Sequence, residues 1–150
     1  FAPLLHDRPL TGLEGKFSLQ YAVAAALEDG RVTLASFEDA AVRRDAIQAF
    51  MPRVTGREGT GPLNPRYADI AVRLKDGRTL RRRVEALRGG PDMPLTDAQL
   101  AEKLADCVAH AGLRADAAAI AALILDPADR PVAAVLDLLD VPARAAAAAE

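Results

Sequence analysis

The feature that most constrains the fold is a stretch of alternating apolar and polar residues on both sides of Asp76-Gly77, ADIAVRLKDGRTLRRRVEAL. Alternation with a period of two is typical of a strand that has one apolar face, and Asp-Gly is a common turn sequence in β-hairpins. The stretch therefore predicts two antiparallel strands joined by a tight turn.

The positions of the apolar residues also select the register of this hairpin. A two-residue loop would place Val72 opposite Arg81, whereas a three-residue loop with Gly77 in the left-handed conformation places Val72 opposite Leu80. Only the second register collects the apolar side chains on one face, so it is the one we expect.

The other face of the hairpin carries arginines: Arg73, Arg81 and Arg83. The simplest interpretation is a solvated strand face, and the alternative is a strip that faces an anion or a partner. A nucleic acid is disfavoured as that partner, because the chain has a formal net charge of −2 and nucleic-acid binders normally carry a basic surplus. No aromatic stacking platform accompanies the arginines either.

Helix signals lie on both sides of the hairpin. Thr11 and Glu14 have the spacing of a capping box, which begins a predicted helix over about 12–29 that ends at Gly30. This helix is almost wholly apolar from Phe17 to Leu27, so we expect it to be covered on every side. Further helices are predicted over about 38–51, 97–111, 116–125 and 131–139.

Two of these helices carry further signals. The predicted buried side of the region 38–51 consists of Val42, Ile47, Phe50 and Met51. Thr96 and Gln99 form a second capping box at the start of the next helix. The predicted buried stripe of that helix consists of Leu100, Leu104, Cys107, Val108 and Ala111.

The predicted fold class is therefore α+β: a small antiparallel sheet with a β-hairpin packed by helices, followed by C-terminal helices. One cysteine, Cys107, and two histidines, His6 and His110, are too few for a disulfide framework or a closed zinc site. We expect Cys107 to be a small core residue, and we expect no metal. No apolar run reaches the length of a membrane span, so the expected location is cytoplasmic, away from membranes.

Lys16 lies near the start of the predicted apolar helix. A cation at that end opposes the helix macrodipole and therefore needs a partner. Either Lys16 pairs with Glu14 or extends out of the core into solvent, or it joins the free N–H groups of the helix start to hold a carboxylate. Physical chemistry alone favours the first explanation. His6 lies just before this helix and is a second residue that could approach a ligand.

The stretch TGLEGKFSLQYAVAAALEDGRV resembles the signature that opens the C-terminal half of the MmgE/PrpD family. That family contains 2-methylcitrate dehydratase, cis-aconitate decarboxylase and iminodisuccinate epimerase. The resemblance continues through DIAVRLKDGRTL and RGGPDMPLTDAQLAEKLADC in the family's order and spacing, so it covers nearly the whole chain. These matches indicate the family and no single member of it.

The resemblance implies how the chain is organised. Family members have a large helical domain and a smaller α+β lid, with the active site in the cleft between them, and they act as homodimers without a metal or an organic cofactor. By this resemblance, residues 1–93 form the α+β lid domain, and residues 94–150 are C-terminal helices that pack on a missing N-terminal helical domain. We expect this chain to be part of a longer protein and to be inactive alone.

The resemblance also implies a substrate site. The family motif E-[AG]-[KR]-[FYH]-S places its basic residue on Lys16 and its serine on Ser18, with Gly15 where alanine is commoner. We therefore expect Lys16 to bind a carboxylate of the substrate, with Ser18 as a hydrogen-bond donor and His6 nearby. The family's acid/base residues lie mainly in the helical half, so no catalytic residue is assigned in this chain.

The activity implied by the resemblance is that of a lyase acting on a small di- or tricarboxylate. A hydro-lyase of the 2-methylcitrate dehydratase type, in propionate metabolism and using acid/base catalysis, is the expected function. A decarboxylase or an epimerase of the same family is the alternative. A different class of function is a non-catalytic interaction module whose apolar first helix is buried in a partner.

Overall fold

The computed structural model describes residues 4–59, 67–125 and 133–138. Helices and a two-stranded antiparallel sheet occur together in these residues, which confirms the α+β class. The elements are, in order, α1 Gly12–Lys16, α2 Leu19–Asp29, a 3-10 turn Ala35–Phe37, α3 Asp39–Val42, α4 Asp45–Phe50, a 3-10 turn Met51–Arg53, β1 Ala68–Arg73, β2 Thr79–Val84, α5 Asp97–His110, α6 Ala117–Leu125 and α7 Ala133–Asp137.

Helix α1 begins with the predicted capping box. The N–H of Glu14 donates to the Thr11 hydroxyl oxygen over 3.3 Å. The Glu14 carboxylate in turn accepts hydrogen bonds from the N–H groups of Leu10 at 2.7 Å and Thr11 at 3.3 Å. Two of the donors that a helix start leaves free are thus satisfied by this reciprocal arrangement.

The single helix predicted over 12–29 is wrong, because the chain forms two helices there. Helix α1 ends at Lys16, and Ser18 is the N-cap of α2. The Ser18 hydroxyl oxygen accepts a hydrogen bond from the N–H of Tyr21 over 3.1 Å. Serine competes for backbone donors in this way, so one hydroxyl within the apolar run is enough to restart the helix. Gly30 ends α2 in the left-handed conformation, as predicted, with φ of 74°.

The hydrophobic core lies where α2 packs against the segment from α3 to the second 3-10 turn. The predicted buried side of the region 38–51 is confirmed at Val42, Ile47 and Met51, each with 0% exposure. That region is two short helices rather than one. The core cluster consists of Tyr21, Ala24, Ala25, Val42, Ile47 and Met51, with Phe37 and Phe50 packed against it.

Within the described residues the first apolar segment is not covered on every side, and its burial by a missing helical domain stays a prediction. Leu13 on α1 is 69% exposed, and Leu27 on α2 is 49% exposed. Phe17, between the two helices, is 40% exposed. Helix α2 buries one face in the core, and an apolar surface remains on the outside.

The hairpin has the predicted register. Val72 pairs with Leu80 across β1 and β2, and Gly77 has the predicted positive φ, at 88°. The N–H of Leu74 donates to the Arg78 carbonyl over 2.8 Å, which closes the three-residue loop. The apolar face is nevertheless open to solvent, since Leu80 is 56% exposed and neither strand contains a fully buried residue.

Helix α5 begins with the second predicted capping box, between Thr96 and Gln99. Val108 is buried on this helix, but Cys107 is exposed. The prediction that Cys107 is a core residue is therefore wrong, because α5 packs on α6 along a narrower strip than its apolar pattern suggested. None of the helices in the described ranges is long and apolar enough to cross a membrane.

Polar contacts join α5 to the segment 31–38. One carboxylate oxygen of Asp106 accepts a hydrogen bond from the N–H of Leu34 over 3.3 Å. One turn further along, Nδ1 of His110 lies 3.7 Å from a carboxylate oxygen of Glu38. These contacts cross the predicted boundary between residues 1–93 and 94–150, and the division into two domains stays a prediction.

Candidate functional site

The predicted site residues lie around the junction between α1 and α2. The backbone N–H of His6 donates to the carbonyl oxygen of Phe17 over 3.1 Å, so the N-terminal segment is attached to this junction. Lys16 and Ser18 are the residues on either side of Phe17. The structure therefore brings the backbones of His6, Lys16 and Ser18 into one region.

Lys16 is the exposed cation of this region. It is the last residue of α1, which places its ammonium group at the helix end that favours a positive charge. The macrodipole argument from the sequence is thus reversed, because the helix ends at Lys16 instead of continuing through it. The Lys16 ammonium nitrogen lies 6.0 Å from the centre of the Phe37 ring, at the outer range of a cation–π contact.

Glu14 is not the partner of Lys16. Its carboxylate is held by the N–H groups of Leu10 and Thr11. The hydrogen bond from Leu10 holds the pKa of the Glu14 carboxyl below its ordinary value of 4.5. Among the ion pairs of residues 4–59, 67–125 and 133–138, none involves Lys16. Pairing of Lys16 with Glu14 is therefore wrong, whereas extension of the Lys16 side chain into solvent, the other part of the first explanation, agrees with its exposure.

Ser18 has a structural role in this region. Its side chain is 1% exposed, and its hydroxyl oxygen caps α2 through the N–H of Tyr21. A hydrogen bond from Ser18 to a substrate stays a prediction, as does the proximity of the half-buried His6 side chain to a ligand.

Tyr21 and Phe37 support the junction and were not anticipated as site residues. The Tyr21 ring has 0% exposure and packs 6.0 Å from the Phe37 ring, centre to centre, at an interplanar angle of 60°. Its hydroxyl donates to the carbonyl oxygen of Ser36, and burial raises the pKa of the Tyr21 phenol above its ordinary value of 10. No local sequence signal marks Phe37, since it approaches Lys16 only through tertiary packing.

Asp39, the first residue of α3, connects that helix to the start of α1. One of its carboxylate oxygens accepts a hydrogen bond from the N–H of Gly12 over 2.8 Å. Its second oxygen lies 2.9 Å from the Arg43 guanidinium, which itself donates to the Leu10 carbonyl over 2.8 Å. The base of α1 is thus fixed, while the Lys16 side chain at its end is exposed.

The junction between α1 and α2 lies within the stretch that resembles the family signature. A family model described as the MmgE/PrpD C-terminal domain matches residues 3–126. The chain belongs to the MmgE/PrpD family. In this MmgE/PrpD domain the matched range includes α1, α2, the hairpin, α5 and α6. The resemblance noted in the sequence is thereby confirmed.

Several curated proteins are similar to this MmgE/PrpD domain. A human cis-aconitate decarboxylase is 31% identical over 98 residues, which are 63% of this chain and 20% of that protein. A cis-aconitate decarboxylase-like protein of Aspergillus oryzae is 35% identical over 100 residues, covering 65% and 20%. The mouse cis-aconitate decarboxylase is 32% identical over 95 residues, covering 60% and 19%. The chain thus spans about a fifth of the length of the curated relatives it matches.

The donors at this junction suit anion binding better than metal binding. Lys16 supplies an ammonium group, and the carboxylate of Glu14 is occupied by backbone donors. No group of three or more histidine, cysteine, aspartate or glutamate residues with metal-binding geometry occurs in the described part of the chain. An exposed ammonium beside an aromatic ring can hold a carboxylate by charge and by directed hydrogen bonds.

Proposed function

We propose that this domain is the substrate-carboxylate-binding part of an MmgE/PrpD enzyme that acts on a small di- or tricarboxylate. The observation that carries the proposal is the Lys16 ammonium, exposed and without a carboxylate partner among the described residues, on a helix whose base is fixed by Asp39. A cation with no protein counter-ion, held on a rigid support, is suited to a ligand carboxylate.

The reaction that we propose to test first is decarboxylation. The curated relatives described above are named as cis-aconitate decarboxylases or as similar to them, which favours loss of CO₂ over the dehydration expected from the sequence. Dehydration of the 2-methylcitrate type and epimerisation are the alternatives within the family. All these reactions develop negative charge next to a carboxylate, so each needs a cation that holds the substrate in place.

Lys16 has a binding role in this proposal. Its ammonium holds a carboxylate that does not react, and it thereby fixes the orientation of the reacting carbon. The general acid and base are supplied by other parts of the enzyme, since no acid/base pair is assigned among the residues of this chain. We also propose that the enzyme has a helical domain, forms a homodimer and is cytoplasmic. The greater length of the relatives supports the presence of a further domain.

A second candidate function is a non-catalytic interaction module. The exposed apolar side chains of Leu13, Phe17 and Leu27 favour it, since exposed large apolar side chains can mark a protein interface. The same surface is consistent with packing against a helical domain of the same enzyme. Both candidate functions are consistent with the exposed apolar side chains, but only the first predicts enzymatic activity. An activity assay therefore distinguishes them.

The test is an assay of the longest natural product of the gene. We expect it to convert cis-aconitate, 2-methylcitrate or citrate, with the product identified by NMR. Release of CO₂ from cis-aconitate would support the decarboxylase, and loss of water from 2-methylcitrate would support the dehydratase. A product that is well folded by circular dichroism and converts none of the three would favour the interaction module.

A further inference from the structure

A second cationic region lies on different elements from Lys16. It is an open hollow of about 470 Å³ between the 3-10 turn after α4 and the loop of the hairpin. Its lining consists of Arg53, Arg73, Leu74, Lys75 and Gly77. Three of these five residues are cations and none is acidic, so the hollow has a single sign of charge.

The hairpin geometry places two of the cations together. Arg73 is the last residue of β1 and Lys75 is the first residue of the loop, two positions further on. Both residues line the hollow, and only Leu74 separates them in the sequence. The positive φ of Gly77, 88°, turns the loop back without a side chain that would fill the hollow.

The third cation comes from the other side of the hollow. Arg53 ends the 3-10 turn Met51–Arg53, and its guanidinium lies 5.4 Å from the centre of the Phe50 ring. Phe50 packs against the hydrophobic core. Contact with an aromatic ring restricts the orientation of a guanidinium group. It does not use the N–H groups of the guanidinium, which can still donate hydrogen bonds to a ligand.

Within the described part of the chain, these three cations differ from their neighbours because no ion pair joins them to a carboxylate. Among the ion pairs of the described residues, Arg78 is joined to Asp76 at 2.7 Å and Arg83 to Asp69 at 2.7 Å. None of those ion pairs includes Arg53, Arg73 or Lys75. Like charges that line one hollow repel one another, so a bound anion would relieve that repulsion.

We propose that this hollow binds a small oxyanion with two or more negative charges, of the phosphate or polycarboxylate class. Guanidinium groups match the oxygen pairs of such anions with two parallel hydrogen bonds, and the lysine adds a point charge. Because the lining has no acidic side chain and no serine, cysteine or histidine, we assign the hollow a binding role and no catalytic one. The proposal stands independently of the function proposed for Lys16.

The test is a titration of the longest natural product of the gene, labelled with ¹⁵N, with inorganic phosphate and separately with citrate, at constant ionic strength set with chloride. We expect saturable chemical-shift changes at the amides of Arg73, Lys75 and Gly77. The two titrations distinguish the sources of the oxyanion, because the tighter ligand shows whether a phosphate or a polycarboxylate is preferred.

Variants decide whether the cations carry the binding. Arg53→Gln and Lys75→Gln should each weaken the affinity about tenfold, which corresponds to about 1.4 kcal/mol. Arg78→Gln removes the same charge from the same loop but from a paired arginine, so it is the matched control and should leave the affinity within about twofold. Arg53 lies outside the hairpin, so its variant tests the site even if a loop variant unfolds the strands.

Two results would overturn the proposal. The first is a response to phosphate and citrate no larger than the response to chloride at the same ionic strength. The second is an equal loss of affinity in Arg78→Gln and in Arg53→Gln, which would show a general effect of net charge.

Discussion

The backbone of Gly12 packs directly against the carbonyl group of Phe37, with no room for a β-carbon between them. Gly12 is buried, and its N–H donates to Asp39 on the neighbouring helix. Helix α1 therefore packs on the 3-10 turn that contains Phe37, whose ring centre lies 6.0 Å from the Lys16 ammonium nitrogen. The position of the proposed substrate-binding lysine thus depends on a glycine four residues before it.

Replacing Gly12 with alanine should destabilise the domain. The added carbon would overlap the Phe37 carbonyl, which is backbone and cannot turn away, and overpacking of this kind costs on the order of 3 kcal/mol. Urea unfolding followed by circular dichroism measures the loss. Gly59→Ala is the control, since its β-carbon would lie 3.8 Å from the Tyr67 hydroxyl, an ordinary contact. Equal stability of the two variants would contradict the packing described for α1.

Tyr21→Phe should lower the free energy of unfolding by about 1–2 kcal/mol, because the Ser36 carbonyl loses its donor in a buried place. The ring itself remains, so the packing against Phe37 is kept. Tyr67→Phe is the control, because that side chain is 50% exposed and its hydroxyl can be solvated. A loss in the control equal to that in Tyr21→Phe would show that burial of the Tyr21 hydroxyl does not matter.

The capping box makes a contribution to stability that depends on pH. The pKa of Glu14 is lower in the folded chain than in the unfolded chain. The ionised Glu14 carboxylate therefore stabilises the fold fully at a pH above its unfolded-state pKa, and this stabilisation is lost as the pH falls through its folded-state pKa. We expect Glu14→Gln to lower the melting temperature at pH 7, and we expect the difference from the wild type to fade below about pH 4.5.

Glu28→Gln provides the comparison for this pH series, because Glu28 is an exposed residue of α2 that takes no part in a cap. Its melting temperature should follow that of the wild type across the series. A difference between wild type and Glu14→Gln that stays constant from pH 7 to pH 3 would contradict the role given to the Glu14 carboxylate.

The features that the sequence predicted well are coded by neighbouring residues. The hairpin register follows from the parity of Val72 and Leu80 around an Asp-Gly turn, and both capping boxes follow from a spacing of three residues. Each depends on contacts between residues close in the chain, so tertiary structure had little opportunity to override it.

The features that the sequence missed depend on competition or on distant contacts. An apolar run favoured one helix, and the Ser18 hydroxyl divided it by capping a second. Cys107 lies on an apolar stripe yet is exposed, because the stripe alone does not specify how much of it a neighbouring helix covers.

The candidate site was predictable in part. The family motif identified Lys16 and Ser18, whereas the macrodipole argument placed Lys16 at the wrong end of its helix because the break at Ser18 was not foreseen. The approach of Phe37 to Lys16 and the buried bond from Tyr21 to Ser36 arise from packing between separate segments. Only the structure could place these residues together.

The central claim is that Lys16 binds a substrate carboxylate, and the kinetics of Lys16→Ala test it most directly. In the longest natural product of the gene, assayed with the carboxylate that it converts, we predict a fall in kcat/KM on the order of 100-fold, or about 2.7 kcal/mol, the scale of one lost charge-assisted hydrogen bond to the substrate. Lys103→Ala removes an equally exposed lysine from α5 and serves as the control, with unchanged kcat/KM.

The melting temperature of Lys16→Ala should stay within about 2 °C of the wild type, because the exposed ammonium makes no ion pair among the described residues whose loss would matter. A variant that keeps its kcat/KM, or loses it only together with its stability, would contradict the claim. A specific kinetic loss in a stably folded variant is the result that the proposed function predicts.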